Sequence, residues 1–204
     1  MNKIQWLFKF FNDPEIKKCL NELTTSSKAT NTSRLINIVS KAENFGLFDD
    51  IQQSSNECIL VITQIIRSSI PNILDYVFTI PYKFFIQDST ITSYISTNDL
   101  LNEIDNAAFE SCINLETVDL LDSRMLQSIK PCTFYGCEKL ATVRLPSSIE
   151  FIGYRAFAEC SKLKEIFFNG TIGLWTDKAS NFDRNWYDAS NIDIIHCLDG
   201  DVYI

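Results

Sequence analysis

Three of the seven cysteines recur at one position of an internal repeat. They lie 25 and 23 residues apart, and each follows a phenylalanine by three positions: Cys112, Cys137 and Cys160. If the repeats stack, their thiols form a column with a spacing of about 5 Å. Such a column could bind a metal or exchange electrons, but free cysteine is also commonly buried as a small apolar filler. We favour the filler role and predict no metal and no cofactor.

Histidine-assisted catalysis has one possible location in this chain. His196 is the only histidine, and Cys197 follows it directly. Neighbouring residues on a strand point to opposite faces, so the pair cannot act on one substrate from a strand. The six glycines form no phosphate-binding loop, and no Cys-x-x-Cys motif suggests zinc. We therefore expect His196 to be structural and the protein not to be an enzyme.

The elements that position these residues belong to a repeat of 23 to 25 residues. Each clear copy has an isoleucine, then Phe, Cys, Leu and two further apolar residues at constant offsets, and these copies begin at Ile104, Ile129 and Ile152. An earlier copy from Ile80 is degraded, with Asp88 at the cysteine position and Ser96 at the last apolar position. A period of this length indicates a solenoid whose stacked units share one core.

Alternating apolar and polar residues predict one short strand in each repeat, for example Leu140–Leu145. The residues between the core positions then point outward and align in two rows. The first row contains Ser93, Thr117, Thr142 and Glu165, and the second row contains Ile95, Asp119, Arg144 and Phe167. We interpret these residues as partner-binding, since Ile95 and Phe167 are apolar at outward positions. The alternative is that terminal caps cover them, and Asp119 with Arg144 forms a cross-strand ion pair.

The residues before the repeat are predicted to be helical. Trp6, Leu7, Phe10 and Phe11 share an apolar face at helical spacing. Asp13-Pro14 caps a short helix, and Thr24–Ser33 reads as a loop. The next helix is capped by Thr32 or Ser33 and carries four inward residues: Leu35, Ile36, Val39 and Ala42. A third helix begins at Ser55 or Asn56 and ends at Pro71. After the repeat, Trp175 and a final apolar strand from Ile192 indicate a terminal cap.

The repeat units resemble the BspA-like (Treponema pallidum-type) leucine-rich repeats, whose unit reads roughly Ile-x-x-x-Ala-Phe-x-x-Cys-x-x-Leu-x-x-Ile-x-Leu-Pro. Ile104–Leu120 and Ile152–Phe168 match nearly every apolar position, and Ile129–Pro146 matches with Thr133 in place of alanine. The tail that runs from Asn169 through Trp175 to Gly200 also looks like the family's usual C-terminal ending. The resemblance covers residues 77–204 and implies binding and adhesion modules, many on microbial surfaces, with relatives in anaerobic protists and phages.

These patterns together predict an α+β protein. A helical N-terminal domain (residues 1–78) precedes a short leucine-rich-repeat solenoid of about four repeats with a C-terminal cap (residues 79–204). This chain departs from the implied pattern in two respects. It has few repeats, and its apolar start is interrupted by Lys9 and lacks a cleavage site, so no signal peptide is expected.

The charge of the chain is uneven. Residues 1–79 contain eight Lys/Arg and eight Asp/Glu, whereas residues 80–204 contain ten and eighteen, so the repeat half carries the whole net charge of −8. A surface of this sign disfavours nucleic acid and anionic membranes as direct ligands. It suits a protein partner with a basic surface. The oligomeric state is left open.

Two functions fit these observations. The first is a non-catalytic protein–protein interaction module that binds through the leucine-rich-repeat face, the helical domain or both. The alternative is a small acidic inhibitor, encoded by a phage or mobile element, that blocks a host nucleic-acid enzyme in an anti-CRISPR or anti-defence role. The odd number of cysteines, with no signal peptide and no membrane-spanning run, predicts a cytoplasmic protein, in the host cell if it is phage-encoded.

Overall fold

The computed structural model describes residues 10–23, 25–47, 55–70 and 72–204. Helices come first, a β-solenoid of about four turns follows over residues 79–169, and a region containing further strands comes after it. The predicted mixed α+β fold is therefore confirmed. Buried apolar side chains form one connected core that extends from the helices through the solenoid into the C-terminal region.

Among the described residues, residues 10–12 are helical, and three helices and a 3-10 turn follow before the solenoid: α1 (Pro14–Glu22), α2 (Lys28–Leu47), α3 (Ser55–Ser69) and the 3-10 helix Ile73–Tyr76. Helix α1 begins as predicted, because the Asp13 carboxylate accepts hydrogen bonds from the amides of Glu15 (2.9 Å) and Ile16 (3.0 Å). Helix α3 begins at the predicted residue. Trp6 and Leu7 of the predicted apolar face lie outside the described residues, whereas Phe10 is fully buried and Phe11 packs against the core.

Helix α2 corrects the prediction in two places. It begins at Lys28, inside the predicted loop, and Thr32 lies within it rather than capping it. The Thr32 hydroxyl donates to the Lys28 carbonyl (2.8 Å) and accepts from the Phe78 amide (2.7 Å), so a tertiary contact satisfies a side chain that would otherwise favour a loop. Ile36 was predicted inward but is 39% exposed, and Ile38 is buried instead.

The solenoid consists of two parallel sheets. The short sheet contains β1 (Thr79–Ile80), β3 (Glu103–Ile104), β5 (Ser128–Ile129) and β7 (Phe151–Ile152). The long sheet contains β2 (Ser93–Ile95), β4 (Thr117–Asp119), β6 (Thr142–Pro146) and β8 (Glu165–Asn169), and continues into β9 (Ile194–Cys197) and β10 (Gly200–Tyr203). The sequence predicted one strand per repeat in the long sheet and a last apolar strand from Ile192, but it did not predict β10. It also missed the short sheet, whose two-residue strands are too short to show alternation.

A column of phenylalanine rings fills the space between the sheets. Phe85, Phe109, Phe134 and Phe157 stack with centroid separations of 4.5, 5.1 and 5.1 Å and interplanar angles of 20° or less. Phe109, Phe134 and Phe157 are fully buried. The constant Phe offset of the repeat therefore produces continuous ring packing, in which each turn of the solenoid covers the ring of the next.

The segment containing each phenylalanine is a tight turn rather than a helix. Two positions in every repeat have positive φ, and the two sets are Lys83, Ala107, Cys132 and Arg155, and Gln87, Ser111, Gly136 and Glu159. Only Gly136 among them adopts this conformation without a Cβ penalty. The stacked turns hold the other residues there through backbone bonds between repeats, such as the Phe109 amide to the Thr133 carbonyl (2.8 Å).

The degraded first repeat is the surface against which the helices pack. Asp88 is fully buried and forms an ion pair with Arg67 of α3, and Gln64 donates to the same carboxylate (3.3 Å). Ser96 accepts a hydrogen bond from the Ser123 hydroxyl (2.6 Å) of the next repeat. The two residues that break the repeat pattern are therefore buried and paired: Asp88 joins the solenoid to α3, and Ser96 bonds to the next repeat.

The C-terminal region closes the other end of the solenoid. The helix α4 (Ile172–Ala179) was not predicted; the Thr171 hydroxyl caps it by accepting from the Leu174 amide (3.2 Å). Trp175 packs against Phe168 at 5.1 Å, and Trp186 meets the ring of Phe157 edge-on at 5.9 Å. The phenylalanine column thus ends on an indole, as expected of a terminal repeat that must not expose its core.

Candidate binding face

Both predicted rows lie on the exposed face of the long sheet. The pairs Ser93–Thr117 and Thr117–Thr142 align the first row, and Ile95–Asp119, Asp119–Arg144 and Arg144–Phe167 align the second row. The structure extends both rows by one strand, because Glu165 pairs with Ile194 and Phe167 pairs with His196. The parallel register therefore places residues that are 23 to 25 positions apart side by side on neighbouring strands.

The two apolar residues of the second row are both accessible. The exposed fraction is 63% for Ile95 and 39% for Phe167. Ser93, Arg144 and Glu165 are exposed as well, whereas Thr117, Asp119 and Thr142 are half-buried. Neither the described helices nor the C-terminal region covers Ile95 or Phe167 completely, so these side chains are accessible to another molecule.

Neighbouring side chains of the second row contact each other across the strands. Arg144 donates to Asp119 at 3.1 Å, which is the expected cross-strand ion pair. The Arg144 guanidinium carbon also lies 5.8 Å from the centroid of the Phe167 ring. The other side of Phe167 faces His196, whose ring is nearly parallel at 4.8 Å. These contacts orient Phe167 before any partner arrives.

His196 belongs to this face, which the sequence reasoning missed. Its two ring nitrogens lie 2.8 Å from an Asp201 carboxylate oxygen and 3.1 Å from one of Glu165. Continuing the strand alternation from Phe167 into Ile194–Cys197 would have predicted its outward direction. The tail carries no Phe or Cys of the repeat, so its register could not be assigned from the sequence.

We expect His196 to titrate above its ordinary range. The hydrogen bonds to Asp201 and Glu165 raise the pKa of His196 above 6.5. Protonation therefore stabilises the fold fully below the unfolded-state pKa of about 6.5, and this stabilisation is lost as the pH rises through the higher folded-state pKa. NMR titration of this single histidine measures the pKa directly, and Asp201→Asn should lower it. A native pKa at or below that of the unfolded chain would contradict the geometry.

A shallow pocket lies beside each apolar residue of the second row. One, of about 220 Å³, adjoins Ile95 and is lined by Arg67, Ile73 and Asp75 from the helical region. The other, of about 240 Å³, adjoins Phe167 and is lined by Leu121, His196 and Leu198. Each end of the row therefore offers an apolar side chain next to a recess that a partner side chain could fill.

The repeated cysteines lie in the core, away from this face. All three are free and fully buried, and each thiol donates to the carbonyl of the phenylalanine one turn earlier: Cys112 to Phe85 (2.9 Å), Cys137 to Phe109 (3.2 Å) and Cys160 to Phe134 (3.2 Å). Burial raises the pKa of Cys112 and Cys160 to about 12, which disfavours the reactive thiolate. Within the described ranges, no group of three or more His, Cys, Asp or Glu side chains is arranged to hold a metal ion.

The fold and its exposed face define a class of protein, the leucine-rich-repeat solenoids, which are typically non-catalytic and generally mediate protein interactions. Residues 78–184 match the family model described as the BspA type leucine rich repeat region (6 copies). The chain belongs to this family. The region before residue 78 lies outside the match.

Other comparisons give limited further information. A crystal structure of a leucine rich cell surface protein from Faecalibacterium prausnitzii A2-165 aligns with 58% of this chain at 18% sequence identity and a TM-score of 0.48. The aligned part is 30% of that protein's chain. No curated protein matches. None of the helices in the described part of the chain has the length and apolar character needed to cross a membrane.

Proposed function

We propose that this protein is a non-catalytic interaction module that binds a protein partner through the exposed face of the long sheet. The observation that carries the proposal is the second row, in which side chains from four consecutive parallel strands align with an accessible apolar residue at each end. Membership of a leucine-rich-repeat family supports it, since such proteins generally mediate protein interactions.

The dimensions of the row suit a small contact. Strands about 4.8 Å apart place Ile95 and Phe167 roughly 14 Å from each other, a distance that two or three turns of a partner helix span. Ion-paired Asp119 and Arg144 lie between them, flanked by the hydroxyls of the first row. We expect Ile95 and Phe167 to contribute most of the affinity and the polar residues to set orientation.

Charge and apolar substitutions in the second row test this assignment. We expect Arg144→Glu with Phe167→Asp to weaken binding to the native partner by about 100-fold or more, since truncating hot-spot residues commonly costs at least 2 kcal/mol. Quantitative co-purification from the native host, followed by titration of the identified partner, measures the effect.

Two variants away from the face serve as matched controls. Tyr154 is 46% exposed on a turn next to the short sheet, and Lys17 is exposed on α1. Tyr154→Asp replaces an exposed aromatic ring by a carboxylate, as Phe167→Asp does, and Lys17→Glu reverses a positive charge, as Arg144→Glu does. Both control variants should leave binding unchanged. Equal retention of the partner by the face variant and these controls would show that the rows are not the interface.

The acidic inhibitor of a nucleic-acid enzyme is a narrower form of the same proposal. It is favoured by the net charge of −8 in residues 80–204. Binding to a basic groove should weaken steeply as ionic strength rises and shortens the Debye length. An affinity that does not change with salt would remove this candidate while leaving the interaction module intact.

We also propose a reducing location, in the cytoplasm. The cysteines with described side chains carry free thiols: Cys19, Cys112, Cys132, Cys137, Cys160 and Cys197. Structural disulfides are rare in reducing compartments, which fits this thiol content. Alkylation of the denatured protein from its native source should label these cysteines, and a disulfide among them would contradict the proposal.

A further inference from the structure

The strand β10 forms an open edge of the long sheet. Among the described strands it pairs with β9 alone, in antiparallel register. The Ile204 amide donates to the Asp193 carbonyl at 3.1 Å. Because backbone groups of successive residues point alternately to the two sides of a strand, this bond defines which residues of β10 face β9. The backbone groups of Val202 consequently face β9, whereas the amides and carbonyls of Asp201 and Tyr203 point to the free edge.

The surroundings of this edge are apolar and accessible. Tyr203 is 75% exposed and Leu198 is 72% exposed, the two largest values among the exposed large apolar side chains of the described residues. Ile204 is 45% exposed. Soluble proteins usually protect an edge strand with charge, proline or a covering element, because its unpaired backbone groups are a template for another strand. Asp201 is the single charged side chain on β10.

The local charge decides what kind of strand could pair here. Residues 185–204 contain four aspartates and no lysine or arginine: Asp188, Asp193, Asp199 and Asp201. A second copy of this chain would bring two such acidic segments together, which like-charge repulsion disfavours. Asp201 and Tyr203 lie two positions apart and share one face of β10. A segment with Lys or Arg on that face would pair with Asp201 and cover the Tyr203 ring with aliphatic stems, and apolar side chains on its other face would lie beside Val202.

We propose that β10 accepts an extended basic segment of the partner as an added strand of the long sheet. This inference rests on the proposed interaction function and names the chemistry of the partner. The backbone of Asp201 and Tyr203 would supply two donors and two acceptors, and the side chains would select alternating Lys/Arg and apolar residues. The added strand would lie three strands from β8, which carries Phe167, so one partner could contact the edge and the second row together.

Hydrogen exchange with two synthetic peptides tests the proposal. The probe is a capped peptide of about six residues, a typical strand length, that alternates lysine and valine. The control peptide alternates glutamate and valine. We expect the lysine peptide to slow amide exchange of Asp201 and Tyr203 by about tenfold or more at saturation, and the glutamate peptide to leave it unchanged. Equal protection by both peptides, or by neither, would overturn the proposal.

Proline variants separate the backbone contribution from the charge. Proline is tolerated on an edge strand where its missing N–H would face solvent, so Asp201→Pro and Tyr203→Pro should fold. Each should weaken binding of the lysine peptide by about tenfold, because one peptide carbonyl loses its donor. Asp201→Asn retains the amide and removes only the charge. In Tyr203→Pro, an unchanged His196 resonance confirms that the hairpin is intact.

The outcomes also distinguish this proposal from the proposed function. Loss of native-partner binding in the proline variants supports the proposal that the partner adds a strand to β10. If native-partner binding is lost only in the Arg144→Glu, Phe167→Asp variant, the proposed interaction face is retained and the proposal that β10 accepts a strand is overturned. If Asp201 and Tyr203 are already protected without peptide and the molecular mass is doubled, a second copy occupies β10 and the proposal is wrong.

Discussion

Replacing Phe134 with alanine lowers the free energy of unfolding by about 3 to 5 kcal/mol. Phe134 is fully buried and stacks on Phe109 and Phe157, each with a centroid separation of 5.1 Å. Alanine removes the ring contacts on both sides and leaves a cavity between two turns whose backbones are held in register, so the site cannot collapse. Urea denaturation followed by tryptophan fluorescence measures the loss.

The matched control for this prediction is Tyr154→Ala. It also removes an aromatic ring, but from a side chain that is 46% exposed. The expected cost is below about 0.5 kcal/mol, as for most surface substitutions. If the Phe134 variant cost no more than the control, the phenylalanine column would not be the centre of the core.

Replacing Asp88 with alanine costs about 3 to 5 kcal/mol, because it leaves the Arg67 guanidinium without its buried partner. The carboxylate is fully buried and also accepts hydrogen bonds from the amide (2.9 Å) and hydroxyl (2.6 Å) of Thr90. Those groups lose their acceptor in the variant as well. Chemical denaturation measures the loss, and Asp88→Ala should destabilise the protein even though it removes an unfavourable buried charge.

A double variant provides the control for Asp88. Asp88→Cys introduces the residue that the other repeats have at this position, but by itself it still leaves Arg67 without an acidic partner. Combining it with Arg67→Met replaces both charges by apolar groups of similar size, a change that is commonly neutral or stabilising. Recovery in the double variant shows that the pairing, rather than the carboxylate itself, is required. No recovery would mean that Asp88 has another role.

The Asp88–Arg67 ion pair should also make the free energy of unfolding depend on pH in the acidic range. Burial alone would raise the pKa of Asp88, but hydrogen bonds from Thr90 and Arg67 outweigh it and lower the pKa below 3.8. The stabilisation is therefore present above the unfolded-state pKa of about 3.9 and is lost as the pH falls through the lower folded-state value. This acid-dependent component should be absent from the Asp88→Ala variant.

Much of the solenoid could be predicted because its repeat constrains two properties at once, the residues of the core and the residues that point outward. The constant offsets place Phe109, Phe134 and Phe157 in one column, and the strand period of two decides which residues point outward. Both rows of the candidate face could therefore be drawn before the fold was known. Their role in binding stays a prediction, as does the division into domains at residue 78.

Other parts depend on contacts between distant segments. Asp88 looked like decay of the repeat because its partner Arg67 lies 21 residues earlier, on a helix outside the period. His196 joined the second row only through its pairing with Phe167, 29 positions earlier. Thr32 and Asn98 have polar side chains that favour loops, yet both are buried and bonded to backbone groups of the junction.

By itself, the sequence determined the family, the repeat length and the core columns, because these follow from residue types that recur at constant spacing and need no knowledge of partners. Only the tertiary structure decided how the solenoid ends. At one end, the buried charge of Asp88 depends on α3. At the other, the strand pairing of β9 and β10 brings His196 to the candidate face and leaves Asp201 and Tyr203 at an open edge. Those features arise once per chain, so no repetition signals them, and their free energies depend on which distant groups replace water around each polar atom.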